Sequence, residues 1–235
     1  MKRFAAFGIL FILWVGVVSA QNNDAQLWTW VSIQKKINKR MEVSLEQQLR
    51  LDNNISAIGN VFTEASLSYR FNKYVRYTVN YRYINRGQRE GGFISGNRYT
   101  GDLRLRYKMK PFIITYRNRM QREFRNELKG VREITFNRNK LEVALDLDKK
   151  FSPFFAFEIY YHFNKSEFNK NRYTLGVDFD LKNRNEFSLY YRLQQTYNVK
   201  NPGLDYIVGF GLAHRLKGRL LKKKKKAKEK EPKTE

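Results

Sequence analysis

Few residues of this chain could carry out acid–base or nucleophilic chemistry. It has two histidines, His162 and His214, and Ser166 follows the first of them by four residues. In a lipase, a serine hydroxyl attacks the ester while a neighbouring imidazole takes its proton, provided that a third polar group orients the imidazole. His162 is therefore the single candidate for a catalytic base, and hydrogen bonding inside the fold is its alternative use. We expect Asp178 and Asp180 to form salt bridges rather than to act as an acid–base pair.

Residue types that bind metals and cofactors are scarce. The chain of 235 residues has no cysteine, which removes disulfides, thiolate zinc sites and cysteine nucleophiles. A glycine-rich phosphate loop and the ligand spacing of a metal site are also missing from the sequence. We therefore predict neither a metal nor a cofactor, and the residue types favour a role other than catalysis.

The charge of the chain indicates a polyanionic partner. Lysine and arginine number 46 and the acidic residues 22, which gives a formal net charge of +24. Two basic residues, Lys2 and Arg3, precede an apolar run at 4–18, and small residues follow it. This pattern predicts a cleaved signal peptide over residues 1–20. Since an exported protein rarely meets nucleic acid, we expect anionic lipid rather than nucleic acid to account for the charge.

Apolar and polar residues alternate with a period of two in segments that recur along the whole chain. Leu103, Leu105 and Tyr107, for example, alternate with Arg104 and Arg106, whereas a helix would need apolar residues three and four positions apart. Segments of about 10–12 residues match a tilted strand that crosses a bilayer and exceed the usual strand of a soluble sandwich. The sequence therefore predicts an all-β fold, a transmembrane antiparallel up-and-down β-barrel in the outer membrane.

The same pattern sets the expected number of strands. Ten clear segments lie between Met41 and Leu216, and one more lies at 27–37. Because bacterial single-chain barrels have an even number of strands, we predict about ten, with 27–37 as an N-terminal strand or a leftover segment. Twelve strands are the alternative. The barrel would occupy residues 21–216, and the lysine-rich residues 217–235 would form a disordered periplasmic tail.

Charged strand residues fall on the side opposite the apolar one and would point into the lumen. Long side chains of both signs at close quarters should form a network of ion pairs. Since a barrel of this size leaves little further space, we predict a filled lumen, with a narrow anion-preferring pore as the alternative. The predicted network consists of Glu42, Glu46, Arg50, Glu64, Arg70, Arg76, Arg82, Asp102, Arg104, Arg106, Glu142, Glu158, Asp178 and Arg192.

The connections are expected to alternate between tight turns on the periplasmic side and longer loops at the cell surface. The longer loops would fall near 52–60, 85–98, 122–132, 164–170 and 198–203. Because the guanidinium fork binds phosphate well, the basic residues of the third loop are candidate contacts to lipopolysaccharide, with ordinary solvation as the alternative. These residues are Arg122, Arg125, Lys129 and Arg132.

Several stretches resemble one family of bacterial outer-membrane barrels. Residues 167–177 and 187–191 have the pattern of its late hairpin, and 45–50 and 102–106 repeat its alternation of luminal Glu and Arg. Over about 27–216 the chain resembles this family, DUF2490, whose function is unknown. It departs from the family in its lysine tail and in lacking a Trp-Gln step near the middle strands. The resemblance implies a barrel in the outer membrane and brings no activity, cofactor or catalytic residue.

These features predict a small outer-membrane barrel with a structural or surface-binding role. Its expected partners are outer-membrane lipid, lipopolysaccharide, the outer-membrane assembly machinery and other envelope proteins that the sequence does not identify. The assembly signal would be internal, since the tail follows the last strand. A narrow anion-preferring channel is the first alternative function, and a lipid-modifying enzyme that uses His162 is the second.

Overall fold

The structure is a computed structural model that describes residues 22–88, 91–127, 130–147 and 150–220. The predicted signal peptide, residues 1–20, and residues 221–235 of the tail lie outside the described residues. No helix within the described ranges is long and apolar enough to cross a membrane. Short 3-10 turns occur at Phe163–Lys165 and Lys182–Arg184. The strands are β1 (Asn22–Lys36), β2 (Met41–Asp52), β3 (Ala57–Arg70), β4 (Val75–Gly87), β5 (Phe93–Met109), β6 (Phe112–Glu127), β7 (Gly130–Leu145), β8 (Phe151–His162), β9 (Glu167–Asp180), β10 (Asn185–Thr196) and β11 (Gly203–Arg219).

The eleven strands of the described chain close into one barrel, which confirms the predicted all-β up-and-down fold. Each strand pairs antiparallel with the strand that follows it in the sequence. In such a barrel an odd number of strands makes the first and the last run in the same direction. β1 and β11 accordingly pair in parallel, from Asn22 opposite Gly203 to Lys36 opposite Arg219. The start of β1 and the end of β11 therefore lie at opposite ends of the barrel.

The count of eleven differs from the ten or twelve strands that the even-number rule favoured. Residues 27–37 are not left over, because most of them belong to β1, which hydrogen-bonds to both β2 and β11. Trp28 is buried on the inside of the barrel, whereas Val31 and Ile33 are exposed on the outside. Apolar residues on both faces of β1 obscured its alternation in the sequence.

The connections are short at both ends of the barrel. Successive strands are separated by two to six residues, so the prediction of longer loops near 52–60, 85–98, 122–132 and 164–170 is wrong. β5, for example, continues for 17 residues, which exceeds the length that a tilted strand needs to cross a bilayer. Charged side chains on the outer face, such as Arg122 and Glu133, interrupt the apolar alternation there without ending the strands.

The two faces of the sheet differ in polarity. Large apolar side chains are exposed on the outside, among them Leu45, Leu105 and Leu175. Charged side chains such as Asp102 and Glu123 are buried on the inside. A continuous apolar exterior around a polar interior suits hydrocarbon outside the barrel rather than water.

Two glycines of β11 allow large rings to lie against the inner wall. A Cβ atom at Gly209 would overlap the ring of Tyr190, and one at Gly211 would overlap the indole of Trp30. Trp30 lies directly opposite Gly211 across the seam between β1 and β11. The ring therefore covers the backbone of the neighbouring strand, in the way that aromatic side chains shield glycines in sheets, and it adds contact area to the parallel seam.

The parallel seam predicts which introduced cysteines form a disulfide. Because the natural chain has no cysteine, an introduced pair reports on the register without interference. Val31 lies opposite Leu212, and neighbouring strands bring their Cα atoms within disulfide range. We expect the variant with Val31→Cys and Leu212→Cys to cross-link on mild oxidation, as measured by gel mobility without reductant.

A displaced pair on the same two strands is the control for this experiment. Tyr206 lies opposite Ala25, roughly 20 Å along the strand from Val31 at the usual rise per residue. The variant with Val31→Cys and Tyr206→Cys should remain uncross-linked. Efficient cross-linking of the displaced pair, or none in the matched pair, would contradict the parallel register.

Candidate functional site: a cationic lumen

The alternation of the strands places all of the predicted network residues at inward positions. Some of them form ion pairs. Arg82 Nε donates to Glu64 at 2.6 Å, and Glu142 accepts at 2.5 Å from Nζ of Lys140, a residue outside the predicted set. Arg76 lies 4.0 Å from Glu42. Others form no ion pair with any described residue, and these are Glu46, Arg50, Arg70, Arg104, Arg106, Asp178 and Arg192.

Glu123 gathers three arginines at the end of the barrel where β2 joins β3, which we call the upper end. Its carboxylate accepts from Arg86, from Arg98 Nε at 2.8 Å and from Arg125 Nε at 2.5 Å. The side chain of Glu123 is only 1% exposed. Sequence analysis assigned these residues to loops and so missed the cluster. Arg125 was a predicted lipopolysaccharide contact, as was Lys129, which lies outside the described residues.

Glu158 is a second carboxylate that gathers several arginines. Arg117 Nη2 donates to its Oε1 at 2.6 Å and Arg138 Nη2 to the same oxygen at 3.0 Å. Arg172 Nη1 lies 3.7 Å from Oε2, to which the hydroxyl of Tyr160 also donates at 3.3 Å. Of these residues the sequence analysis singled out Glu158 alone. The basic partners occupy inward positions that the same period of two could have identified.

Five basic residues lie directly opposite one another on successive strands, and we call this set the basic ladder. Arg70 faces Arg76, Arg76 faces Arg104, Arg104 faces Arg117, and Arg117 faces Lys140. Beyond Lys140 the same row passes through Glu158 to Arg172. Because strands of a barrel tilt, a row of opposed residues winds along the wall, and this one rises from the end of β3 towards the upper end.

Two cavities occupy the lumen. The lower cavity, of about 550 Å³, reaches Asn72 in the turn between β3 and β4, and the upper cavity, of about 510 Å³, reaches Asp52. Arg117 and Lys140 line both cavities, so the two meet at these residues. Eight basic and four acidic residues line the lower cavity. Twelve basic and three acidic residues line the upper one, so both carry a surplus of positive charge.

The described residues do not assemble a hydrolase site around His162. Its side chain points inward at 7% exposure, and its ring packs edge-on against Phe136 at 4.6 Å. Its Nδ1 has no hydrogen-bond partner among the described residues. Ser166 lies at the end of a 3-10 turn, is exposed, and donates its backbone N–H within that turn. His214 has its Nδ1 2.7 Å from Asn185 Oδ1, and no cluster of acids and histidines in the described ranges could hold a metal ion.

Two of the predicted lipopolysaccharide contacts form exposed ion pairs, Arg122 on the outer face of the barrel and Arg132 at an inward position of the upper rim. Arg122 donates to Glu133 through Nε at 2.7 Å and Nη2 at 2.8 Å. Arg132 Nη1 lies 3.7 Å from Glu127. A lipid phosphate would therefore have to compete with a carboxylate at each position, although exposed pairs of this kind are easily exchanged.

A closed barrel with an apolar exterior and a polar lumen is the architecture of outer-membrane β-barrel proteins. Residues 25–204 match the model of the family described as "Protein of unknown function (DUF2490)". The match covers well over half of the chain, so the chain belongs to this family, and the resemblance predicted from its sequence motifs is confirmed. The matched residues stop where β11 begins.

Among solved structures, the chain is similar to an anion-selective porin from Comamonas acidovorans, with 10% sequence identity and a TM-score of 0.39. The similarity covers 73% of this chain and 52% of that porin, so the chain spans about half of the porin's length. A search of curated proteins gives no significant match.

The Glu123 cluster predicts a large loss of stability when its carboxylate is removed. Glu123→Gln would leave three guanidinium groups crowded together without their shared countercharge. Breaking a buried ion pair from one side typically costs about 3–5 kcal/mol. We therefore expect a clear fall in the free energy of unfolding, measured by urea titration of the barrel in lipid vesicles.

Glu133→Gln is the matched control, because it makes the same chemical change in an ion pair whose side chains are 38% and 59% exposed. Exposed ion pairs contribute little to stability, so this variant should unfold at the same urea concentration as the natural protein. Equal unfolding midpoints for the Glu123 and Glu133 variants would show that the buried cluster does not hold the upper end together.

Proposed function

We propose that this protein is a narrow, anion-preferring passage through the outer membrane. The observation that carries the proposal is the basic ladder from Arg70 to Lys140, which is shared between the two cavities of the lumen. A row of fixed positive charges along a confined wall attracts anions and repels cations. The predicted signal peptide, the apolar exterior and the family support placement in the outer membrane.

The ladder is difficult to explain by stability alone. Like charges directly opposite each other on neighbouring strands are destabilising. A barrel that needed only to be stable would place opposite charges at such positions, as it does where Glu64 faces Arg82. Four successive pairs of like charges therefore favour a functional role for the ladder, which is to attract anions into the lumen.

The row of opposed basic residues is interrupted just beyond the ladder, which fits a narrow passage rather than a wide pore. Glu158 lies between Lys140 and Arg172 in the row, and its carboxylate is already occupied by Arg117 and Arg138. An anion that passes this level would move between these paired arginines and those that have no carboxylate partner. Conduction needs binding that is strong enough for entry and weak enough for release.

Planar-bilayer recording under a potassium chloride gradient tests the proposed passage. The reversal potential of the purified protein should lie towards the chloride equilibrium potential. Replacing Arg70 and Arg104 together by Gln removes two charges of the ladder that form no ion pair with a described residue. We expect this double variant to fold normally and its chloride-to-potassium permeability ratio to fall several-fold.

Arg122→Gln is the control, since it removes the same charge from the outer face of the barrel and should leave the permeability ratio unchanged. Folding of every sample is checked by heat-modifiable gel mobility. A folded barrel that gives no channel activity would overturn the proposal and return the function to a structural or surface-binding barrel, which is the other role that the sequence predicts.

A further inference from the structure

Three arginines converge on one buried tryptophan in the upper cavity. The Cζ atom of Arg50 lies 3.6 Å from the ring centroid of Trp28, that of Arg192 at 5.1 Å and that of Arg172 at 5.3 Å. The three arginines line the cavity, whereas Trp28 is 3% exposed and lies beneath them. The indole forms a floor that holds three guanidinium groups together through cation–π contact.

Each of these guanidinium groups is held in place by a neutral acceptor. Arg50 donates through Nε at 3.0 Å and Nη2 at 2.8 Å to Gln48 Oε1, and Arg192 Nε donates to Thr174 Oγ1 at 2.9 Å. In the same way Arg172 Nε donates to Gln194 Oε1 at 2.6 Å. These anchors fix the orientation of the side chains without cancelling their charge. The arginines around Glu123 and Glu158, in contrast, donate hydrogen bonds to carboxylates, which partly balance their charge.

The charge around Trp28 is not balanced by the described residues. Arg50 and Arg192 have no carboxylate within ion-pair distance in the described ranges, and Arg172 has only Glu158 at 3.7 Å. Asp205 lies at the edge of the cluster, where it accepts from Gln194. The remaining N–H groups are Arg50 Nη1, Arg172 Nη2 and both terminal nitrogens of Arg192, and they have no acceptor among the described residues.

Bringing three like charges together without countercharge costs free energy that the cation–π contacts repay only in part. A ligand that supplies negative charge and several acceptors would relieve this cost. A carboxylate is planar and engages one guanidinium fork, and chloride has no directional acceptors. A phosphate dianion offers acceptor oxygens in several directions, which suits forks that approach from different strands.

From these observations we propose that the Arg50, Arg172 and Arg192 cluster over Trp28 is a binding site for phosphate dianion. Arg50 comes from β2, Arg172 from β9 and Arg192 from β10, so the site joins strands on both sides of the β1–β11 seam. The inference does not require that the lumen conducts, because a closed upper cavity would hold the same site.

Tryptophan fluorescence gives a direct reading of this site. Trp28 and Trp30 are the two tryptophans of residues 21–235, and phosphate that draws the guanidinium groups off the indole should change the emission of Trp28. We expect the chain of residues 21–235 in detergent to show a saturable change with inorganic phosphate, and a much smaller one with chloride at equal ionic strength. Trp28→Phe should abolish the optical change, while isothermal calorimetry should still detect phosphate binding.

Charge removal at the cluster should weaken binding. We expect Arg50→Gln and Arg192→Gln each to weaken phosphate binding about tenfold, as the loss of one charge-assisted hydrogen bond implies. Arg192→Lys keeps the charge but loses the fork and should also bind more weakly. Arg132→Gln, at an exposed position outside the cluster, should bind as the natural protein does. If Arg50→Gln fails to fold, the two Arg192 variants and the calorimetry of the natural protein decide the question.

Three results would overturn the site: no saturable phosphate binding by the natural protein, unchanged affinity in folded Arg192→Gln, or equally tight binding of malonate as a dicarboxylate probe. The outcome is separable from that of the proposed passage. Phosphate binding without channel activity would remove the passage and leave the site. Channel activity without saturable phosphate binding would do the reverse.

Discussion

Every strand of this barrel needs a hydrogen-bonding neighbour on each side, because a backbone amide that faces hydrocarbon has no water to bond. Ten of the eleven pairings are antiparallel and follow from short connections between consecutive strands. The remaining pairing, between β1 and β11, joins the two ends of the sheet in parallel and completes the cylinder. Closure of the lumen, and therefore the confinement of its charges, depends on this seam, which Trp30 of β1 covers at Gly211.

The period of two was sufficient to predict the fold class, because hydrocarbon outside and charge inside impose it on every strand. Leu103, Leu105 and Tyr107 against Arg104 and Arg106 show it clearly. The number of strands could not be obtained in the same way. β1 carries aromatic residues on its inner face, so its two faces look alike in the sequence. The upper ends of β6 and β7 carry charges on both faces, and those of β4 and β5 carry small polar residues on the outer face, so all four resembled loops.

For the lumen, the sequence predicted which way the charges point but not which charges meet. Each ion pair depends on the register between two strands. For example, Nε and Nη2 of Arg119 each donate to Asp102 at 2.6 Å. The basic ladder depends on four registers at once. Alternation within one strand carries no information about the residue opposite it, so it could not predict which acids Arg117, Arg119 and Arg138 would meet. Their inward positions, however, were open to the same reasoning.

The acids of the lumen divide its arginines into two groups with different physical roles. Glu123 and Glu158 each draw in several guanidinium groups, and such shared carboxylates fix side chains in a low-dielectric wall. Because each of these carboxylates is shared among several arginines, other arginines have no carboxylate partner among the described residues and are positioned by neutral groups such as Gln48 and Thr174. The sharing leaves part of the wall without countercharge, and the unpaired arginines Arg50 and Arg192 face the upper cavity.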